Sequence, residues 1–218
     1  MEQDVRLMEI LDKYGIHCTF NLNSGCWAAE GTVYPKGHIH RRMSASQVKE
    51  LYQNPNHEVA AHCLTHASLT ELNAGQIAHE VLADRENLEA MFGGLVRGLA
   101  YPFGTHSDAV IEALRATGTA YARTVISTNN TEIPNDWLRL HPTCHHNAPN
   151  LMQLCDRFLA DSAPFGSRLF YLWGHSYEFE ADNNWHVIEE FCEKMAGRED
   201  IWYATNIQIV DYVNACFK

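Results

Sequence analysis

Along the 218-residue chain, segments of helical periodicity alternate with short apolar runs of β character, and this alternation narrows the fold more than any other feature. Residues 3–14 (QDVRLMEILDKY) set Val5, Met8, Ile10 and Leu11 on one helical stripe, with Asp4 as N-cap and Gly15 as the stop. Further helices are predicted over 44–53, over 73–92 with Asn73 and Gln76 as a capping box, and over 107–117 behind Ser107 or Asp108. Three more are predicted over 150–161, 184–196 and 206–216. Between the helices lie the strand-like runs HCTFNLN, EVAAH, GLAYP, AYARTVI, RLFYLW and IWYAT. Such an order describes βα units around a parallel sheet. The pattern opens on a helix, however, and seven helices face six strands, so one strand is missing at the front. No internal repeat or long linker divides the chain, and residues 1–218 read as a single domain.

A net charge of -11 argues against nucleic acid or an anionic membrane as the main partner. No apolar run approaches the roughly 18 residues that a membrane span requires. The seven cysteines are odd in number, contain no CxxC pair and follow no signal peptide. They read as reduced thiols in a cytoplasmic protein. Thirteen histidines, several of them clustered, are more than surface composition needs.

In parallel βα folds, reactive residues gather at the carboxyl ends of strands. Four such ends here carry unusual polar residues: HEVAAHCLTH, RGLAYPFGTH, LRLHPTCHHN and LFYLWGHSYEFE. His62 and His66, four apart, would face the same way on a helical turn, so both could reach one ion. A borderline cation such as zinc accepts imidazole and needs a further ligand, commonly a carboxylate, plus an open position. Alternatively both rings cap a loop and bond to backbone; the spacing leaves both readings standing. His175, at the end of an apolar strand, suits proton donation to a leaving group, or else is a core histidine bonded to a carbonyl. In AYPFG, Pro102 and Gly104 form a turn that can aim backbone N–H groups into a pocket, or that merely joins strand to helix. HPTCHHN (141–147) has the donors for a second metal site, but no matching ligand pair elsewhere has zinc-site spacing. It is read instead as a polar loop on the pocket rim. Trp173 is the better candidate for a pocket wall, Trp137 for the core.

Taken in order, these segments resemble the polysaccharide deacetylase family, also called the nodulation-type chitooligosaccharide deacetylase homology domain. HEVAAHCLTHASL (57–69) is similar to the family's H-x-x-x-H metal motif, LAYPFG (99–104) to its third motif and LFYLWGH (169–175) to its fifth, while TFNLNSG (19–25) looks like the strand after the first helix. The resemblance implies an α/β fold, a distorted (β/α)7-type barrel with parallel strands, its first strand missing. It also implies a hydrolase that uses a divalent metal, zinc foremost with cobalt or nickel as alternatives, to remove an acetyl or other acyl group from an amino sugar or related amide. By the same resemblance His62 and His66 would bind the ion and the Phe103 N–H would hold the oxyanion. His175 would protonate the leaving amine, and Trp173, Tyr101 and His145 would contact substrate.

Two departures stand against the family pattern. Its paired-aspartate turn, source of the catalytic base and the third metal ligand, belongs just before the first helix, where only Asp4 is present. A front strand lost, or a start codon placed late, accounts for both this and the missing strand. Ala100 stands where many members carry an arginine, which leaves Arg97 or Arg123 to supply that charge, unless either is a structural arginine. Asp136-Trp137 matches the family's aspartate-tryptophan motif only loosely. Without the aspartate pair, a catalytically impaired carbohydrate-binding relative is the alternative to an enzyme. A third reading keeps the fold but turns it to a small cyclic amide or imide.

Overall fold

A computed structural model of the chain describes residues 1–160 and 167–216. Helix α1 (Asp4–Tyr14) ends at Gly15, which adopts the left-handed conformation expected of a C-cap. Gln3, not Asp4, holds the N-cap position; the Asp4 carboxylate instead accepts from the N-terminal ammonium at 2.9 Å and from the Tyr52 hydroxyl. Met8, Ile10 and Leu11 are buried, while Val5 lies outside the stripe and is exposed. Strand β1 (Thr19–Leu22) follows, then α2 (Ala45–Leu51), β2 (Glu58–Ala61) and α3 (Ala74–Phe92). Both α2 and α3 start in reciprocal capping boxes, Ser44 with Gln47 and Asn73 with Gln76. Next come β3 (Gly98–Ala100), α4 (Asp108–Ala116) and β4 (Tyr121–Arg123). The rest of the chain forms β5 (Cys144–His145), α5 (Leu151–Ala160), β6 (Leu172–Trp173), α6 (Ser176–Ala181), α7 (His186–Met195) and α8 (Asn206–Cys216).

Every strand pair is parallel. One sheet runs β1-β2-β3-β4 in chain order, with Thr19 opposite Glu58 and Leu22 opposite Ala61. A second pair, β5-β6, continues the same sense through Leu140, whose N–H and C=O bond to Ala122 O and Thr124 N at 3.0 Å each. Side chains alternate across the sheet as the pleat requires. Phe20, Leu22, Ala61, Leu99 and Ala122 join the large core. Ala60 and Tyr121, on the other face, pack with Leu140 and with Val210 of α8.

The C-terminal half departs from the expected elements. Residues 201–205 (IWYAT) form no strand, and RLFYLW pairs only at Leu172–Trp173. A strand needs a neighbour to bond to, and among the described residues none lies along 201–205. Conversely, Cys144–His145, read as rim loop, pairs with β6, and α6 was not predicted at all. Among the described residues no helix is long and apolar enough to cross a membrane. Among the described residues all seven cysteines are free thiols, and Cys63, Cys144, Cys155 and Cys192 are buried.

Candidate functional site

His62 and His66 leave β2 in a bent loop, not in the helical turn their spacing suggested. Cys63 (φ 65°) and His66 (φ 59°) take left-handed backbone conformations, and these bends bring the two rings to 4.7 Å between centroids. Helix α3 and the end of β1 hold the loop in place. The Asp84 carboxylate, fully buried, accepts from Ser24 N at 2.7 Å and His62 N at 3.0 Å. Glu80, one turn earlier, accepts from Thr65 N and Thr65 Oγ1 at 2.9 and 2.7 Å, and Asn23 Nδ2 donates to the carbonyls of His62 and Cys63. His62 Nδ1 lies 2.7 Å from Ala100 O, so it carries the proton and Nε2 is left as the lone-pair donor, the tautomer a metal ligand needs. Burial, with neighbouring His66, Arg123 and His175, pushes the His62 imidazole down to about 3 and keeps it neutral; His66 is lowered in the same direction, burial again first. Among the described residues, no third His, Cys, Asp or Glu brings a ligating atom within 4.8 Å of both rings.

The turn after β3 faces this pair. Pro102 opens a 3-10 turn, Phe103 sits at φ 59°, and its exposed ring packs edge-on against His66 at 4.6 Å. The Phe103 N–H belongs to the first turn, where donors have no partner within the helix. Of the five non-glycine residues with positive φ among those described, Asn129, Asn183 and His66 are of types that tolerate it. The remaining two, Cys63 and Phe103, both lie here beside His66, a concentration of left-handed backbone typical of functional sites.

On the far side of the histidines stands a second polar group, built by β5, β6 and α6. His175 caps α6, and its backbone N–H donates to Glu178 Oε2 at 3.2 Å. Glu178 Oε2 lies 3.1 Å from His145 Nε2 and 3.4 Å from His146 Nε2, and Glu178 Oε1 lies 3.2 Å from His175 Nδ1. The last two contacts are close, but their angles fall short of hydrogen bonds. Burial pushes the Glu178 carboxyl up, yet His145 and His175 outweigh it and hold the group well below the usual carboxylate range. Gly174 is required here: a Cβ at that position would meet His146 Nδ1 at 1.7 Å. Trp173 lies 4.6 Å from His145 and 5.7 Å from His175, with the buried Arg123 guanidinium 4.7 Å from its ring centroid. Arg123 has no carboxylate within ion-pair distance among the described residues; its one hydrogen bond goes to Thr124 O. Helix α6 is fastened from outside by Arg41, which donates twice to Glu180, at 2.8 and 2.7 Å.

The structure thus brings His62, His66, Phe103, His145, Trp173, His175 and Arg123 to one face. It does not bring Tyr101 or Arg97 there. Tyr101 is 1% exposed, with its hydroxyl bonded to Leu138 O at 2.8 Å, so it is core and not a substrate contact. Arg97 forms an exposed ion pair with Asp211 at 2.6 Å, away from the site. Asp136 caps the turn at Trp137–Arg139 and pairs with Arg139. The 141–147 histidines split: His141 bonds Thr124 Oγ1 at 2.6 Å, while His145 and His146 face Glu178. Sequence reasoning missed Glu178, Asp84 and Glu80. The H-x-x-E spacing at a helix start was a usable signal for Glu178; buried acids spaced by four on α3 left none, because only the tertiary packing shows what they accept from. Two clefts of about 680 and 640 Å³ lie elsewhere, and neither is lined by His62, His66 or His175.

No curated protein matches the chain. Among solved structures it is similar to a protein from Mycobacterium smegmatis assigned to the polysaccharide deacetylases: TM-score 0.64, 16% identity, 96% of this chain and 76% of that one. A Streptococcus pyogenes deacetylase in complex with acetate aligns at TM-score 0.54 and 18% identity, over 65% of this chain. The chain spans only 58% of that protein's length. A CE4-family pseudoenzyme from Bacillus anthracis aligns at TM-score 0.54 and 16% identity, over 96% of this chain and 61% of that one. At such identities the likeness is one of fold. The sequence profile described as polysaccharide deacetylase, however, matches residues 2–122, more than half of the chain. On that match, and with the parallel α/β architecture in agreement, the chain belongs to the polysaccharide deacetylase family.

Proposed function

We propose that the protein is a metal-dependent hydrolase that removes an acetyl or other acyl group from an amino sugar or a related amide. The observation that carries the reading is the strained, pre-set His62/His66 pair, both imidazoles neutral, facing the Phe103 turn on one side and His175 on the other. His62 Nε2 and the His66 ring would hold the cation, zinc foremost. When bound, the ion supplies Lewis acidity, polarising the acyl carbonyl and lowering the pKa of a water. The Phe103 N–H donates to the oxygen that becomes negative. The water oxygen bonds to the acyl carbon as its proton passes to solvent, and His175 gives its own proton to the departing amine as the C–N bond breaks. Trp173, held under Arg123, forms the wall against which the acyl group packs. We read residues 1–218 as one domain acting in the cytoplasm on a small sugar. The test is direct. The purified chain, loaded with zinc, cobalt or nickel, should release acetate from N-acetylated chitooligosaccharides, and His62→Ala with His66→Ala should lower the rate at least 100-fold. Failure to bind any of these ions, with no acetate released, would sink the reading.

A second reading has its own support. A catalytic zinc normally has three protein ligands, and two imidazoles are all that converge at His62/His66 among the described residues. A carbohydrate-binding relative without hydrolytic activity would show saturable binding of the same oligosaccharides and no acetate release at any metal concentration.

A further inference from the structure

Outside the His62/His66 pair, one group of side chains is assembled like a coordination sphere. His145, His175 and Glu178 offer ligating atoms that all lie within 4.8 Å of one another. The two carboxylate oxygens divide between the rings: Oε2 stands 3.1 Å from His145 Nε2 and Oε1 3.2 Å from His175 Nδ1, as a carboxylate that binds through both oxygens would. Ligands bonded at about 2.0–2.2 Å to one tetrahedral or octahedral ion are themselves roughly 3–3.5 Å apart, so these two contacts already have that spacing. The three ligands come from β5, from the end of β6 and from α6, and none needs to cross the fold to close on an ion. An independent sign comes from His146. Its side chain is 3% exposed, its Nε2 has no hydrogen-bond partner, and it points at Glu178 Oε2 from 3.4 Å. Placed there, an N–H would steady a ligating carboxylate from behind, as outer partners do in metal sites. His175 Nδ1 is likewise buried and unpartnered.

We propose that His145, Glu178 and His175 form a second cation site, suited to a borderline divalent ion of the zinc type, with His146 as its outer support. The donor set of two imidazoles and one carboxylate is that of an open zinc site, with a fourth position left for water. The site has a consequence for the proposed chemistry. A cation on His175 Nδ1 and a proton on the same nitrogen exclude each other, so occupancy removes the imidazolium form that would protonate a leaving amine. In that role the cluster is an inhibitory site for excess metal. The consequence rests on the function proposed above; the site itself does not.

Bound metal per chain, measured by equilibrium dialysis with Zn²⁺ and Co²⁺ and checked by the visible absorption of the cobalt form, tests it. Wild type should hold two cations. The His62→Ala/His66→Ala variant should hold one, and adding Glu178→Gln or, separately, His145→Gln should weaken that one at least 10-fold, with unchanged circular dichroism. If the double variant binds no cation, or binds it equally well with Glu178→Gln and with His145→Gln, the second site is refuted. A single wild-type cation that is lost with Glu178→Gln but kept in the double variant would support this site and refute the His62/His66 site. The opposite pattern would do the reverse.

Discussion

At the amino ends of the strands, Glu58 accepts from Thr19 Oγ1 at 2.8 Å, Tyr121 Oη at 2.7 Å and Ile207 N at 3.0 Å. Thr19 Oγ1 in turn accepts from Asn206 N, and Asn206 Nδ2 donates to Tyr171 Oη. Beside them His57 takes Cys18 N on one nitrogen and reaches Asp12 Oδ1 with the other. The carboxyl ends also gather histidine and glutamate, with an arginine beside them, to a different result. Among the described residues there, Arg123 has no counter-charge, the buried polar atoms of His146, Trp173 and His175 lack hydrogen-bond partners, and three non-glycine residues are held in left-handed backbone. The Glu58 network at the base stabilises the sheet because its members satisfy one another. At the top Asp84 and Glu80 are satisfied, but the ring nitrogens that face the site are not, which costs stability and leaves them free for ligands.

The contrast can be broken at its strongest point first. Glu58→Ala strands three donors at the base and should cost roughly 2–4 kcal/mol in urea denaturation. A loss under about 1 kcal/mol would mean that the base network is not what holds the strands together. The pH dependence comes next. Burial lowers the pKa of His57 from 6.5, and lowers His62 further, to about 3. Below pH 6.5 the unfolded chain therefore binds more protons than the folded one, and stability falls as pH drops through that window. Each group contributes at most about 1.4 kcal/mol between pH 6.5 and 5.5. Thermal melts of the metal-free chain should lose part of that slope in His57→Gln and a larger part in His62→Gln; equal effects would erase the difference between the two ends. The smallest change is expected at Phe103→Gly. Relief of the left-handed backbone should offset the lost ring contact with His66, for a net change under about 1 kcal/mol. A loss above about 2 kcal/mol would make that ring a packing element, not a functional one.

Much of the fold was legible because local rules decided it. The α3 boundaries follow from Asn73, Gln76 and Gly93, and the α1 stop from Gly15, each acting through backbone groups only a few residues away. Residues 201–205 were misread as a strand for the complementary reason. Their β-rich composition is a local property, but a strand exists only where another offers a ladder. The site divides the same way. His62, His66 and His175 announced themselves by spacing and by position after apolar runs. Tyr101 was a candidate only through the family resemblance, and packing drew it into the core, where its hydroxyl found Leu138 O.

What the sequence determined by itself was the order of βα units, the caps that bound the helices and the histidines that follow the strands, because each depends on neighbours along the chain. Only the tertiary structure decided that Asp84 and Glu80 brace the His62 loop, that Arg123 and not Arg97 faces the site, and that Glu178 joins His145 to His175. Those contacts join residues as far as 60 positions apart, as between Ser24 and Asp84. Their energies exist only once the sheet has closed the distance, and no periodicity along the chain encodes them.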